Sequence, residues 1–303
     1  MLAIPFPQID PNLVAFEIGG VEIALRWYAL AYIAGLVLGW RMVVLLMRRP
    51  RLWPAERPPM TPAQPEELLT WMVVGVVGGG RLGFVLFYNP LHYLSNPLQI
   101  FAVWEGGMSF HGGFLGVILG VILYCRRNGI PVLQAGDAVA LAAPAGIFFG
   151  RIANFINGEL WGRQTEVSWG MVFPAVPQAY WGGPVNLPRH PSQLYEAATE
   201  GLILGLVMWW LAMSRGWLKH PGALIGVFFI GYGAARSFVE NFRQGNIEYV
   251  TPDNPWGQVI RFGLGPEAMG LTMGQVLSLP MIAIGIGFLL YARRSADTAK
   301  GAA

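Results

Sequence analysis

Residues 133–163 read LQAGDAVALAAPAGIFFGRIANFINGELWGR, an apolar run that gives way to polar residues. The first part, 133–150, is apolar enough to form a short membrane span, for which about 20 such residues are typical. The polar residues that follow it are Arg151, Asn154, Asn157 and Glu159. Such side chains are costly to place at a membrane boundary, so they indicate chemistry or the binding of a charged group. The alternative is a polar cap or a tight loop between two spans.

The composition places the whole chain in a membrane. It is 54% hydrophobic and only 12% charged over 303 residues, with a mean hydropathy of +0.47. Soluble domains carry about 25% charged residues, so the composition excludes a large soluble core. The single cysteine, Cys125, excludes an internal disulfide framework and a cysteine-based metal site. The N-terminus has no basic segment or small-residue cleavage site, so we expect no removable signal peptide.

The apolar segments predict an all-α polytopic membrane protein with about seven transmembrane helices, forming one integral membrane domain over residues 1–303. Many glycines in these segments are spaced to let helices approach closely. The predicted spans are Ala24–Leu46, Leu68–Tyr88, Gly107–Cys125, Leu133–Gly150, Leu194–Met213, Pro221–Val239 and Gly274–Ala292.

The positions of lysine and arginine predict the orientation. Alternate connections hold eleven of the twenty basic residues: Arg48, Arg49, Arg51, Arg57, Arg126, Arg127, Arg215, Lys219, Arg293, Arg294 and Lys300. The opposite connections hold four: Arg163, Arg189, Arg243 and Arg261. Because basic loops stay in the cytoplasm, we expect an external N-terminus and a cytoplasmic C-terminus. An odd number of spans, such as seven, satisfies this.

The predicted outer connections are the long ones. Residues 89–106 lack lysine and arginine and are rich in large apolar residues, which predicts an arm lying along the outer interface. Residues 158–192 are long enough for a small periplasmic head of short strands and turns, inserted between spans four and five. Residues 243–273 form a third outer loop with turn signals at Gly265-Pro266.

Several polar residues fall at the outer ends of different spans, which predicts a common site. Three of them, Arg236, Glu240 and Arg243, are spaced i, i+4 and i+7, which would place them on one face of a helix. The other members are His111, followed by Gly112-Gly113, then Arg151 with Asn154, and Tyr28. Each also has a structural interpretation. His111 could be a hydrogen-bonded interfacial histidine, Tyr28 an interfacial aromatic, and Arg236–Glu240 an ion pair. Glu196 and Glu200, inside the fifth span, could pair with buried arginines.

The predicted site suits an anion. Two arginines provide planar, permanently charged forks that match a phosphodiester, and a phospholipid head group is the commonest phosphate at that depth. Backbone donors in a glycine-rich turn could add to it. A histidine can take a thiol proton near neutral pH. No Gly-x-Ser-x-Gly elbow, Ser-His-Asp signature or metal-ligand cluster supports a serine protease or a metalloenzyme.

Four separated segments resemble, in the same order, the motifs of the bacterial prolipoprotein diacylglyceryl transferases, which are integral membrane enzymes. These segments are His111–Gly113, Gly150–Arg163, Arg189–Glu196 and Arg236–Arg243. The resemblance runs from about Trp27 to Arg294. Ala153 stands where a glycine is common in that family, and the residue stays small.

The resemblance implies transfer of the diacylglyceryl group of phosphatidylglycerol to the lipobox cysteine thiol of a prolipoprotein, with release of glycerol phosphate. The substrate supplies the nucleophile, and Cys125 is expected far from the site. We expect no cofactor, no metal and no nucleic-acid partner, and a place in the bacterial inner membrane with the site toward the outer face. The residues expected in catalysis are Tyr28, His111, Arg151, Asn154, Arg236 and Glu240. Those expected to bind substrate are Gly112, Gly113, Arg151, Asn157, Glu159, Gly162, Arg236 and Arg243.

Two other classes of function stay open on the sequence alone. A transporter or lipid-moving channel could use the arginines to bind an anion within its path, although transporter sites tend toward the midplane of the membrane. A non-catalytic lipid-binding scaffold would account for the arms and aromatic residues. It would not account for polar groups at the outer ends of several spans.

Overall fold

The computed structural model describes residues 4–174 and 187–301, which are mostly helical with a few short strands. They form two compact units. The first unit holds the described residues of Met1–Gly39 and Ala140–Ala303, and the second holds Trp40–Val139. Residues 175–186 of the predicted head lie outside the described residues.

The helical frame follows the predicted spans with shifted ends. The α-helices of the described chain are α1 Trp27–Met47, α2 Gln64–Phe87, α3 Pro90–Ser95, α4 Phe110–Arg127, α5 Val132–Ile156, α6 Ser192–Glu196, α7 Leu204–Ser214, α8 Ala223–Val239 and α9 Met273–Gly301. A π-helical segment, Ala197–Ile203, joins α6 to α7 without interruption.

The expectation of about seven transmembrane helices is confirmed. In the described residues, six helical segments are long and apolar enough to cross a membrane: α1, α2, α4, α5, Ser192–Ser214 and the Met273–Ser295 part of α9. The seventh, α8, is a shorter apolar helix of 17 residues. Its rise of about 25 Å is close to the thickness of the hydrocarbon core.

In the second unit, α2 and α4 pack through glycines. A Cβ atom built on Gly79 would overlap the carbonyl oxygen of Gly112 and lie 2.9 Å from Cα of Gly116. One built on Gly83 would lie 2.8 Å from Cα of Gly112. The two backbones are therefore in contact, and there is no room for a side chain at these positions. Small residues allow such close packing of helices in membranes. The interpretation of the glycine spacing as helix packing is confirmed at these positions.

The arm predicted at residues 89–106 consists of α3 and two 3-10 turns, Pro97–Phe101 and Val103–Glu105. Its large apolar side chains are between 74% and 84% exposed: Leu91, Leu94, Leu98, Phe101 and Trp104. So exposed an apolar face suits an interfacial segment. Its position relative to a membrane stays a prediction.

A buried arginine of α2 holds this arm. Arg81 donates from Nε to the carbonyl of Ile100 at 2.8 Å and from Nη2 to that of Gln99 at 2.6 Å. Nη1 donates to the carbonyl of Gly106 at 2.5 Å, and the guanidinium lies over the ring of Tyr93. Because each bond uses a backbone carbonyl, the arm is fixed by its main chain whatever its exposed side chains are.

The strands of the described chain form three two-stranded pairs, all in the first unit. Strand β1 Ile4–Pro5 lies parallel to β4 Met171–Val172. Two pairs are antiparallel: β2 Asn12–Ile18 with β3 Val21–Arg26, and β5 Gln258–Arg261 with β6 Gly270–Thr272. The β2–β3 hairpin precedes α1, so the first span begins at Trp27 and not at the predicted Ala24.

Helix α5 extends beyond the predicted end of its span at Gly150. It continues to Ile156, so Arg151 and Asn154 lie in its last two turns and not in a loop. Ala153 is completely buried there, which accounts for a small residue. After the helix, the chain packs on a small apolar core made of Phe6, Met171 and Phe173 with Phe155 and Trp161.

The π-helical segment lies close to α5. A Cβ atom on Gly201 would lie 2.8 Å from Cα of Phe148, so the two backbones are nearly in contact. This approach brings the last turns of α5 next to the carboxylates at the start of Ser192–Ser214. Helices α8 and α9 approach in the same way at Gly226, where a Cβ would lie 2.8 Å from the carbonyl oxygen of Gly285.

Candidate functional site

Six ionisable side chains of the first unit form one network, here called the charge cluster. Arg151 comes from α5, Glu196 from the end of α6 and Glu200 from the π-helical segment. Arg236 lies in the last turn of α8, and Glu240 and Arg243 follow that helix. The structure therefore brings together the predicted Arg151, Arg236, Glu240 and Arg243.

Glu196 is the centre of the charge cluster. Its Oε1 accepts hydrogen bonds from Nη1 of Arg236 and, at 2.6 Å, from Nη1 of Arg243. Its Oε2 lies 3.3 Å from Nε of Arg151. The side chain is completely buried, and an isolated buried carboxylate would be strongly destabilising. The three arginines are thus held in place by one carboxylate.

The other two glutamates complete the pairing. Nη2 of Arg236 lies 3.0 Å from Oε2 of Glu240, and Nη2 of Arg151 lies 3.7 Å from Oε2 of Glu200. Arg151 also shares a hydrogen bond with the side chain of Tyr232. The structural interpretation of these glutamates as partners of buried arginines is therefore confirmed.

The predicted helical spacing of Arg236, Glu240 and Arg243 is only partly correct. Helix α8 ends at Val239, so Glu240 and Arg243 lie beyond its last residue. In the turn that follows, the amides of Phe242 and Arg243 both bond to the carbonyl of Val239, at 2.8 and 3.1 Å. Nε of Arg243 consequently lies 3.8 Å from Oε2 of Glu240.

The charge cluster presents its cations outward. The side chains of Arg151, Arg236 and Arg243 are 20%, 17% and 15% exposed, whereas those of Glu196 and Glu200 are completely buried. The formal charges of the three arginines and three glutamates balance, but the arginine side chains are the more exposed ones. An anion can therefore approach the arginine side of the cluster while the carboxylates orient the arginines from behind.

A second group of polar residues surrounds the carboxylate of Glu159. Its Oε1 accepts from Nδ2 of Asn154 at 2.8 Å and lies 3.5 Å from Nδ2 of Asn157. Asn154 also shares a hydrogen bond with Tyr28, whose hydroxyl is 3.3 Å from that of Tyr32. The structure thus brings together Tyr28, Asn154, Asn157 and Glu159 as one polar chain, which starts one helical turn from Arg151.

The backbone around Gly162 joins the two groups. The amide of Gly162 donates to the carbonyl of His190 at 2.9 Å, and the amide of Arg163 donates to that of Phe242 at 2.9 Å. A Cβ atom on Gly162 would lie 2.7 Å from the carbonyl oxygen of His190. The segments that contain Gly162, His190 and Phe242 approach one another so closely that only glycine fits at position 162. Its N–H is committed to that framework.

Residues 189–193 belong to the same framework. Buried Arg189 donates to the carbonyl of Gly162 at 3.2 Å and its guanidinium lies over the ring of Trp161. Burial lowers the pKa of Arg189 and of His190. Nδ1 of His190 is 3.1 Å from the hydroxyl of Tyr195. The side chain of Gln193 donates to the carbonyl of Glu159.

His111, Gly112 and Gly113 lie in the second unit, in the first turn of α4. His111 is exposed, and its ring packs edge-on against Phe110. Ser109 caps the helix by accepting from the amide of Gly112 at 3.2 Å, and its carbonyl accepts from the amide of Gly113 at 2.9 Å. These amides are therefore used within the helix. A common site for His111 and the charge cluster stays a prediction.

Some members of the network were not among the predicted site residues. Glu196 and Glu200 were assigned only structural pairing, and Tyr232 and Arg163 were given no role at the site. Two carboxylates four residues apart in an apolar span are a sequence signal that could have identified the first pair. Nothing in the sequence around Tyr232 distinguishes it from an ordinary aromatic of α8.

Comparison with known proteins covers almost the whole chain. A sequence model of the family described as prolipoprotein diacylglyceryl transferase matches residues 13–291. A phosphatidylglycerol–prolipoprotein diacylglyceryl transferase of Ruegeria pomeroyi is 54% identical, with 95% of this chain and 97% of that protein covered. Proteins of the same name from Cereibacter sphaeroides and Rhodospirillum rubrum are 54% and 50% identical. They cover 98% and 97% of this chain, and 100% and 96% of their own lengths.

Proposed function

Because this chain belongs to the prolipoprotein diacylglyceryl transferase family, we propose that it transfers the diacylglyceryl group of phosphatidylglycerol to the lipobox cysteine of prolipoproteins. The products are a thioether-linked prolipoprotein and glycerol phosphate. Its partners are phosphatidylglycerol, the signal-peptide region that contains the lipobox cysteine, and the surrounding membrane lipids. It is a multi-pass protein of the bacterial inner membrane.

The outward arginines of the charge cluster carry this proposal. A phosphodiester is a delocalised anion whose oxygens match the fork of a guanidinium. Arg151, Arg236 and Arg243 are fixed by Glu196 before any substrate arrives. Donors that are already oriented need no reorganisation as charge develops, which is the main source of electrostatic stabilisation in enzymes.

The chemistry is a displacement at carbon. The substrate sulfur attacks the glyceryl carbon that carries the phosphate, and a C–S bond forms as the C–O bond breaks. The electron pair of that bond goes to the phosphate oxygen, so the leaving phosphomonoester gains one negative charge. The arginines stabilise that charge. The thiol proton goes to His111, whose imidazole is suited to accept it near neutral pH.

The polar chain of Tyr28, Asn154, Asn157 and Glu159 holds the reacting groups in line. Its hydroxyl, amide and carboxylate groups offer both donors and acceptors to a polar head group. Gly112 and Gly162 act through shape. Their amides are already bonded, and their lack of a side chain lets neighbouring backbones come close.

We further propose that the N-terminus and the site face the periplasm and that the C-terminus faces the cytoplasm. The basic residues of alternate connections support this orientation. The head at 158–192 would then also be periplasmic. The transporter and scaffold alternatives lose support, because the relatives that match nearly the whole chain are all named as transferases.

A mass-gain assay tests the function. Purified protein is incubated with phosphatidylglycerol and a lipobox peptide, and the peptide is analysed by mass spectrometry. We expect an added diacylglyceryl group that is stable as a thioether. A peptide with serine in place of the lipobox cysteine is the matched control and should stay unmodified. No mass gain with the cysteine peptide, from protein that is folded, would refute the proposed activity.

A further inference from the structure

A small polar pocket lies beside the charge cluster in the first unit. Its volume is about 80 Å³, and the lining residues that matter here are Arg163, Glu240, Asn241, Trp256, Gln258 and Thr272. Glu240 belongs to both places, because its Oε2 also lies 3.0 Å from Nη2 of Arg236. Glu240 therefore separates the pocket from Arg236, one of the arginines proposed to bind the phosphodiester.

Arg163 is the cation of this pocket, and it has spare hydrogen-bonding capacity. Its guanidinium stacks on Trp256 at 4.2 Å from the ring centre, and Nη2 donates to the Trp256 carbonyl at 3.1 Å. Its buried Nε has no hydrogen-bond partner among the described residues. Burial lowers the pKa of Arg163, because the charged form is partly desolvated. A bound anion would compensate that loss of solvation.

The remaining lining offers mostly acceptors. The amide nitrogen of Gln258 donates to the carbonyl of Ala268 at 3.1 Å, and its amide oxygen can accept a hydrogen bond. The amide nitrogen of Asn241 donates to the carbonyl of Phe238 at 2.9 Å, and its oxygen can likewise accept one. Thr272 accepts from the amide of Gln275 at 3.4 Å, so its hydroxyl hydrogen can be donated.

A cation beside several acceptors matches an anion that also carries hydroxyl groups. We propose that this pocket binds a phosphoglycerol group, with its phosphate on Arg163 and its hydroxyls on the amide oxygens of Gln258 and Asn241. The proposal rests on the proposed function: the pocket holds the phosphoglycerol group of phosphatidylglycerol before the reaction or glycerol phosphate after it, whereas the phosphate lies on the arginines of the charge cluster during transfer. Glu240 does not oppose an anion strongly, because Arg236 and Arg243 flank its carboxylate.

Direct binding to the purified full-length protein tests the pocket independently of turnover. The probe is glycerol 1-phosphate, titrated calorimetrically, with glycerol alone for comparison. Loss of a charged hydrogen-bond donor should weaken binding to Arg163→Gln by about tenfold or more. The matched control is Arg261→Gln. Arg261 lies at the end of β5, near the pocket residue Gln258. It bonds to the carbonyls of Asp253 and Gly265 and does not line the pocket. Equal affinity in wild type and Arg163→Gln would overturn the proposal.

A second variant avoids any dependence on the folding of Arg163→Gln. Asn241 is exposed, and Asn241→Asp places a negative charge at the rim of the pocket. It should weaken glycerol 1-phosphate binding several-fold, more at low than at high ionic strength. Unchanged binding in this variant would count against the proposal as well.

Kinetics then separate the two sources of the group. A higher inhibition constant for glycerol 1-phosphate alone, in Arg163→Gln, assigns the pocket to the released product. A higher KM for phosphatidylglycerol as well assigns it to the lipid head group. If neither constant changes, the pocket has no part in the reaction and the proposal is wrong. Wild-type protein that binds glycerol 1-phosphate but forms no thioether would refute the proposed function and leave the pocket standing.

Discussion

At the scale of single residues, the charge cluster makes a sharp prediction about arginine. Arg236→Gln removes a fork that pairs with both Glu196 and Glu240. We expect transfer to fall by about a hundredfold or more, because losing a charged partner of the phosphodiester in a desolvated site costs several kcal/mol. Arg151→Gln should behave alike. Arg236→Lys should restore little, since lysine lacks the planar fork. The measurement is the initial rate of thioether formation.

The control for this prediction must separate chemistry from folding, because the same change leaves buried carboxylates less well paired. The unfolding temperature in detergent is therefore measured for each variant. Arg215→Gln is the matched change outside the cluster, where the guanidinium lies over the ring of Trp210. Full activity in a folded Arg236→Gln protein would remove Arg236 from the site.

His111 gives a second prediction at this scale, through the pH dependence of the rate. If it accepts the thiol proton, His111→Gln should slow the reaction strongly at neutral pH. The loss should shrink as the pH rises toward about 8.5, the ordinary pKa of a free thiol, because the substrate then supplies its own thiolate. The ratio of wild-type to variant rates is measured with a soluble lipobox peptide between about pH 6.5 and 9. A constant ratio across this range would show that His111 only positions the lipid.

At the scale of elements, the glycine contact between α2 and α4 can be tested with two adjacent residues. Gly79→Ala would push a methyl group into the backbone of α4, whereas the space beside Gly78 is open. We expect Gly79→Ala to destabilise the protein by about 1–3 kcal/mol, as overpacking does. Gly78→Ala should be neutral or slightly stabilising, because alanine favours helix. Thermal unfolding in one detergent compares them, and equal unfolding temperatures would contradict the close contact.

The helices could be predicted well because apolar runs of spanning length have few alternatives in a membrane. The smaller elements could not. The first span was predicted to begin at Ala24 and no element was predicted before it, yet Gly19 and Gly20, at φ +58° and +82°, form the turn of a hairpin. A Gly-Gly pair between β-branched and aromatic residues was the available signal. The last turns of α5 were also missed, because the hydropathy of the sequence falls at Arg151 while the helix continues to Ile156.

Some residues of the candidate site could likewise be predicted from the sequence, and others could not. The arginines were predictable because a charge in an apolar span must have a reason. Their common partner was not, because Glu196 lies forty residues from Arg236 and the contact depends on how α6 and α8 pack. Arg243 was predicted on a helical face, and it lies in the turn that follows the end of α8. Spacing along the chain identifies faces only as far as the helix extends.

At the scale of the whole molecule, the orientation is the prediction to test. Cys125 is buried and is the only cysteine, so Cys125→Ser gives a background for single labels. Glu166→Cys in the head and Lys219→Cys after α7 replace two exposed residues. In cells with a permeable outer membrane, an impermeant thiol reagent should modify the first and reach the second only after lysis. The reverse pattern would overturn both the orientation and the periplasmic site.

The charge cluster also has a consequence for how the chain enters the membrane. Its members are synthesised in the order Arg151, Glu196, Glu200, Arg236, Glu240 and Arg243. The sum of their charges, taken in that order, never departs from zero by more than one unit. An uncompensated charge in the bilayer costs about 2.5–3.5 kcal/mol on insertion scales. A newly inserted helix can therefore pair its charge with an opposite charge on a helix that is already in the membrane. At each stage, at most one charge of the cluster is unpaired.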